Sequence, residues 1–283
     1  MQIGLGTVQF GLDYGVSNAT GQVSLDEAAR ILMFCQQNDI QLFDTAALYG
    51  QSERVLGQIG PLGDKNKIVT KLPPCSDLSS AEIDSVFNQS LVNLKVSHVY
   101  GLMLHQGADL LSKRGRDIYN KLQDYKSNGL VSKIGVSVYT PEETWEIINK
   151  FEIDLIQLPV NVFDQRFVQS GVLQALKRLN VEVHARSTFL QGLLLMKPED
   201  VPDYFVPFKK HLEAYFNVRG SDPLIPAVQF VKNLQLIDYL IVGVTNQQEL
   251  AQIVNAFNQE CHLDFGPYSS VEDGLILPTN WKF

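Results

Sequence analysis

Eight short apolar runs rich in β-branched residues recur along this chain, and segments of helical period fall between them from end to end. The runs are Ile3–Val8, Leu42–Thr45, Ile68–Leu72, Val99–His105, Lys133–Val138, Asp154–Pro159, Glu182–Ser187 and Tyr239–Val244. This alternation is the pattern of repeated βα units around a parallel sheet. Eight such units in 283 residues match one closed α/β barrel, which uses roughly 250 residues as a single unit. Residues 1–283 are therefore expected to form one (β/α)8 TIM-barrel domain of the α/β class.

Helix starts are written into the chain. Ser24 opens Ser-Leu-Asp-Glu, Thr140 precedes Pro141-Glu-Glu, and Asn246 precedes Gln-Gln-Glu-Leu, each pairing a capping side chain with an acid three positions on or a proline at the first helical position. The rhythm breaks at about 197–221, where Pro198, Pro202 and Pro207 and the aromatics Tyr204, Phe205, Phe208 and Tyr215 predict a loop insertion covering a site. The tail 262–283, with weak periodicity and aromatics at its end, is expected to pack near the barrel mouth.

Composition removes several classes of partner. With 23 basic and 31 acidic side chains and a formal charge of −8, nucleic acid and anionic membrane are not expected partners, because phosphate capture needs clustered Lys and Arg. Cys35, Cys75 and Cys261 form no Cys-x-x-Cys pair and no metal spacing, which fits a reducing compartment and makes cytoplasm the expectation. No signal peptide is recognisable at the start and no apolar stretch is long enough to span a bilayer. Oligomeric state is not legible.

In a barrel, polar residues at the C-terminal ends of the strands converge on the one face where such folds do chemistry. Here they are Asp44, Lys71, His105, Ser137 and Gln157, spaced 27, 34, 32 and 20 residues apart, each step near one βα unit. Tyr49 follows five residues after Asp44, close enough for its loop to return over the same mouth. The set is chemically coherent. A lysine beside a phenol would favour the phenolate and lower its pKa, an aspartate would hold that lysine, and a histidine could orient a carbonyl oxygen.

These residues sit within motifs that resemble the aldo-keto reductases along essentially the whole chain. The motifs are Gly-Leu-Gly-Thr at 4–7, Phe-Asp-Thr-Ala-Ala-Leu-Tyr-Gly-Gln-Ser-Glu at 43–53, Val-Thr-Lys at 69–71, Leu-Met-Leu-His at 102–105, Lys-Ile-Gly-Val-Ser at 133–137, Asn-Val-Phe-Asp-Gln-Arg at 161–166 and Gly-Val-Thr-Asn at 243–246. The resemblance implies metal-free reduction of an aldehyde or ketone by a nicotinamide cofactor, with the catalytic tetrad falling on Asp44, Tyr49, Lys71 and His105. It implies further that Ser137 and Gln157 hold the carboxamide and that Ser187, Phe189, Gln191, Gly192 and Lys197 follow the pyrophosphate. Gly243, Thr245 and Glu249 would line the adenosine end, and Gly6 and Thr7 the pocket floor.

Some positions depart from the family pattern. Arg186 replaces an aromatic residue that many relatives stack on the nicotinamide, so its guanidinium would either stack there or reach an anionic substrate. Val138 replaces an Asn, and Glu249 stands where many relatives place an Arg on the 2′-phosphate. NADPH is the family's usual cofactor, and a carboxylate at that point makes NADH possible, unless Lys197 or Arg219 supplies the missing charge. The chain meets its first strand at once, where many members carry a hairpin under the barrel, so the apolar residues there are expected to need another cover. The opening Gly-Thr-Val-Gln-Phe-Gly-Leu-Asp-Tyr-Gly resembles a bacterial branch often met in surface-polysaccharide pathways, which suggests a small-molecule carbonyl substrate, sugar-derived or a nucleotide sugar.

Rival readings fare worse. A doubly wound dinucleotide fold needs a third glycine where the chain has Gln9. Zinc chemistry would want several strand-end histidines, and only His105 and His184 come near such positions. A nicotinamide-binding regulatory or sensor protein with little turnover is the alternative function.

Overall fold

The computed structural model describes residues 1–18, 20–60, 65–220 and 222–281. Its strands are β1 (Gln2–Gly6), β2 (Leu42–Asp44), β3 (Lys67–Leu72), β4 (Val99–Leu104), β5 (Val131–Ser137), β6 (Leu155–Pro159), β7 (Glu182–Arg186) and β8 (Tyr239–Gly243). Each pairs in parallel with the next, and β8 pairs back onto β1, giving the closed (β/α)8 barrel. Predicted and observed strands differ by one or two residues at their ends. β1 stops at Gly6 rather than Val8 because a helical turn, Val8–Gly11, begins there.

A main helix follows each strand: α1 (Leu25–Gln37), α2 (Ser52–Ile59), α3 (Ser80–Leu94), α4 (Gly115–Ser127), α5 (Pro141–Lys150), α6 (Val172–Arg178), α7 (Leu224–Lys232) and α8 (Gln247–Phe257). The three predicted caps are in place. Ser24 Oγ accepts from Glu27 N, Thr140 Oγ1 from Glu143 N and Asn246 Oδ1 from Glu249 N, satisfying donors that the first turn leaves open. Residues of one strand parity, such as Leu5, Phe43, Leu102, Val136 and Val183, pack outward beneath these helices in the main apolar core.

The other parity fills the barrel in layers. Leu42, Val69, Met103, Leu155 and Ile241 form a dry middle layer. Two residues further along their strands stand Asp44, Lys71, His105, Gln157 and Gly243, at the C-terminal mouth. In the opposite direction the interior turns polar: Lys67 Nζ donates to Tyr239 Oη at 2.7 Å, and Glu182 accepts from Tyr100 Oη at 2.7 Å and Lys133 Nζ at 2.8 Å. The expectation that apolar residues at the barrel bottom need another cover is thus corrected, since hydrogen-bonded polar side chains occupy it. His184 belongs to this network, its Nε2 lying 2.9 Å from Glu182, and is not at the mouth.

The segment predicted as a loop insertion is largely helical, with two 3-10 turns at Pro198–Asp200 and Asp203–Phe208 and an α-helix at Lys209–Phe216; its last residue, Ser221, and the tail's Lys282 and Phe283 lie outside the described residues. Phe205 and Tyr215 are buried, and Phe205 packs edge-on against Trp281 with centroids 4.9 Å apart. The inserted aromatics hold the insertion and the tail together. No helix among the described residues is long and apolar enough to cross a membrane.

Candidate active site

A cleft of about 1240 Å³ opens at the C-terminal mouth. Asp44, Tyr49 and His105 line it at the centre, with Ser137 and Gln157 beside them. Arg186, Ser187, Phe189, Gln191 and Gly192 form one wall, Gly6 and Thr7 the floor, and Gly243, Thr245 and Glu249 the far end. Lys71 lies directly beneath. Lys197 is not on this wall: it borders a smaller neighbouring crevice with Ser17 and Asp200. Arg219 is turned away as well, donating to the carbonyls of Leu194 and Met196, so it braces the insertion and supplies no charge to the cleft.

Lys71 and Asp44 form a closed pair. Lys71 Nζ donates to Asp44 Oδ1 at 2.7 Å, to Asp44 Oδ2 at 2.6 Å and to the Thr45 carbonyl at 3.0 Å. Three acceptors match the three donors of an ammonium, whereas a neutral amine has only two. Burial pulls the Lys71 pKa below its ordinary value, and the Asp44 carboxylate opposes that pull. Gln157 Nε2 donates to the same Asp44 Oδ1 at 2.8 Å. That leaves the amide oxygen of Gln157 on the cleft side of the pair.

The Tyr49 ring sits with Lys71 Nζ 5.0 Å from its centroid and the His105 ring edge-on at 5.7 Å. Burial, reinforced by the Asp44 carboxylate, holds the phenol above its usual range. The lowered pKa expected from a lysine neighbour is therefore overturned: desolvation dominates, and the Asp44 carboxylate adds to it. The phenol stays protonated. Burial and then the Lys71 charge push His105 down to about 4, so its ring is neutral at pH 7 with one N–H. His105 Nδ1 is buried without a hydrogen-bond partner.

Local sequence explains how Tyr49 reaches this place. Gly50 has φ +56°, and a Cβ there would stand 2.3 Å from the Gly11 carbonyl oxygen; a Cβ on Gly11 would stand 1.8 Å from the Tyr49 carbonyl oxygen. Two glycines thus let the Val8–Gly11 turn lie directly against the Tyr49 loop. Ser52 ties the same loop to β1, donating to Thr7 Oγ1 at 2.7 Å and lying 3.0 Å from Thr45 Oγ1. Glu53 accepts from Thr70 Oγ1 at 2.6 Å, which fixes α2 to β3 one residue before Lys71.

At the far end Glu249 does not stand free. Its carboxylate accepts from Thr245 N and Thr245 Oγ1, both at 2.7 Å, completing the α8 cap begun by Asn246. Gln9, Tyr14, Tyr139 and Asp222 also line the cleft and were not singled out in the sequence. Tyr139 was the most findable, since it lies two residues beyond Ser137 at the top of β5.

A family model described as Aldo/keto reductase family matches residues 2–264. The chain is 24% identical over 212 residues to the uncharacterized oxidoreductase YqkF of Bacillus subtilis (strain 168), a match covering 70% of this chain. It spans 64% of that protein's length. Among solved structures it resembles the aldo-keto reductase AKR11C1 from Bacillus halodurans in its holo form, with TM-score 0.76, 18% identity and coverage of 93% of this chain and 88% of that one. It also resembles the glycerol dehydrogenase AKR11B4 from Gluconobacter oxydans, with TM-score 0.69, 21% identity and coverage of 92% and 87%. At such identities these likenesses speak for the fold alone, but the family match runs from β1 past α8 and takes in every strand that carries a mouth residue, and by it the chain belongs to the aldo/keto reductase family.

Proposed function

We propose that this protein is an NAD(P)H-dependent oxidoreductase that reduces an aldehyde or ketone, with Asp44, Tyr49, Lys71 and His105 as its catalytic residues. The observation that carries this reading is that the Lys71–Asp44 pair, the Tyr49 phenol and the His105 ring meet at the centre of one cleft, with the phenol held protonated. The cleft also fits a dinucleotide. Gln9 Oε1, His105 Nδ1 and Thr188 Oγ1 are buried polar atoms without partners, all three residues line it, and such atoms call for a polar ligand.

When bound, the nicotinamide supplies the hydride. Ser137 and the free oxygen of Gln157 would hold its carboxamide, and the 187–192 wall would carry its phosphates. Tyr49 donates its phenolic proton to the carbonyl oxygen, and the neutral His105 orients that oxygen with its one N–H. Lys71 stabilises the resulting phenolate as a fixed charge, and Asp44 holds Lys71 in position. The far end of the cleft carries Asp222 and Glu249 with the amides Asn246, Gln252 and Asn255, and no Lys or Arg among the described residues. A 2′-hydroxyl suits that end better than a 2′-phosphate, so NADH is the favoured cofactor over NADPH.

Tyr49→Phe tests the core of the reading. Carbonyl reduction should fall at least 100-fold, while the Kd for the reduced dinucleotide, followed by intrinsic fluorescence, changes less than about 3-fold. A variant that keeps more than about a tenth of the activity, a loss of only ~1.4 kcal/mol, would remove Tyr49 as the donor. Tight cofactor binding by the native chain with no turnover of any aldehyde would move the sensor reading ahead.

A further inference from the structure

Arg186 is the one cationic side chain lining the cleft among the described residues, and among them it has no carboxylate partner. Its guanidinium is built in from two sides. Nη2 donates to the Val138 carbonyl at 3.0 Å and Nη1 to Ser187 Oγ at 3.2 Å, and its face lies on the Tyr139 ring with Cζ 4.4 Å from the centroid. Only two of its five N–H donors are thereby used. Both acceptors are neutral, so the positive charge is unspent.

The nearby carboxylates do not spend it. Asp44 is committed to Lys71 and Gln157. Glu143, whose carboxyl feels the Arg186 charge, accepts from the Tyr139 backbone N–H at 2.9 Å. Arg186 lines the same cleft as Tyr49 and His105, so a substrate whose carbonyl oxygen is protonated there shares the cleft with its guanidinium. A preorganised, half-buried guanidinium with free donors is the side chain best suited to bidentate recognition of a planar or tetrahedral oxyanion.

We propose that Arg186 anchors an oxyanion, a carboxylate or a phosphate, carried by the carbonyl substrate itself, so that this chain acts on anionic rather than neutral aldehydes or ketones. The proposal rests on the reading of the cleft as a carbonyl-reducing site. It adds a specificity that the four catalytic residues do not supply. Tyr139 is the positioning residue in this scheme, since it fixes the plane of the guanidinium.

Matched pairs of carbonyl compounds test it: succinic semialdehyde against butanal, glyceraldehyde 3-phosphate against glyceraldehyde, and glucuronate against glucose. The readout is the ratio of kcat/KM, anionic over neutral, at saturating reduced cofactor, in the native enzyme and in Arg186→Lys and Arg186→Met. That ratio is independent of whatever a substitution does to turnover in general. In the native enzyme it should exceed about 10 for at least one pair, and which pair tells carboxylate from phosphate. It should fall below about 2 in Arg186→Met, be partly kept in Arg186→Lys, and shrink in 0.5 M salt. A native ratio near 1 for every pair, or a ratio that survives Arg186→Met, overturns the proposal. If nothing is turned over, it is the carbonyl-reducing reading that fails. Binding then decides the anion site: butyrate and inorganic phosphate should still raise the thermal midpoint of the native protein with cofactor, but not that of Arg186→Met, and equal effects on both proteins overturn it.

Discussion

His105 shows how much of a residue's role is set by what surrounds it. A strand-end histidine was legible in the sequence, but its protonation state was not, because that depends on burial and on the Lys71 charge, which only the fold brings together. With its pKa pushed down to about 4, the ring should remain neutral throughout the range in which the enzyme works. The unfolded chain takes up this proton near pH 6.5 and the folded chain only near 4, so the folded state binds fewer protons between these values. Stability should therefore be complete above about 6.5 and decline as the pH falls toward 4, by at most ~3 kcal/mol from this group. An NMR titration of the His105 ring checks both points; a midpoint above 6 would make it a cation at the site and remove its part as a neutral donor. Arg186 is the converse case. The sequence marked it as a departure from the family pattern, while its platform Tyr139 went unnoticed, because the two meet only through the tops of β5 and β7.

The elements that position the site were legible to different degrees, and the reason is range. Caps such as Ser24, Thr140 and Asn246 are contacts within one helical turn, so three residues of sequence suffice to predict them. The insertion is different: its aromatics close on Trp281 and on the residues around Phe163, tens of residues away, and its Arg219 bonds back to Leu194 and Met196, so a stretch that looked like an open loop folds into turns and a helix. The Tyr49 loop lies between these cases, being fixed by the approach of Gly11 to Tyr49 and Gly50. Gly11→Ala would force a Cβ against a backbone oxygen now 1.8 Å from its position, and backbone cannot yield as a side chain end can. The loop must then shift. Carbonyl reduction should fall at least tenfold, with the reduced dinucleotide still bound within about 3-fold of the native Kd. Unchanged kcat in a folded Gly11→Ala protein would show that this contact does not place the phenol.

For the molecule as a whole, barrel, strand order and mouth face followed from the eightfold alternation, and the convergence of the four residues proposed as catalytic followed from the barrel. What did not follow was the distribution of charge around the cleft. Lys197 and Arg219 were close enough in sequence to look like phosphate partners, yet one borders an adjoining crevice and the other bonds to carbonyls at the start of the insertion. The far end of the cleft is left with carboxylates and amides, and NADH should bind at least tenfold more tightly than NADPH in parallel fluorescence titrations at low salt. The reverse order would mean that a cation outside the described lining reaches the 2′-phosphate. Lys197→Ala would then weaken NADPH selectively, and the same titrations would read it.

The bonding of Lys71 bears on where the spent proton is replaced. All three ammonium hydrogens point to Asp44 and Thr45, away from the phenol, and the apolar layer of Leu42, Val69, Met103, Leu155 and Ile241 separates the pair from the polar floor of the barrel. Among the described residues no chain of hydrogen bonds runs upward through the barrel to Tyr49. On the proposed reading, the phenol is recharged after each turnover by water arriving at the mouth, so emptying of the cleft and restoration of the acid are coupled.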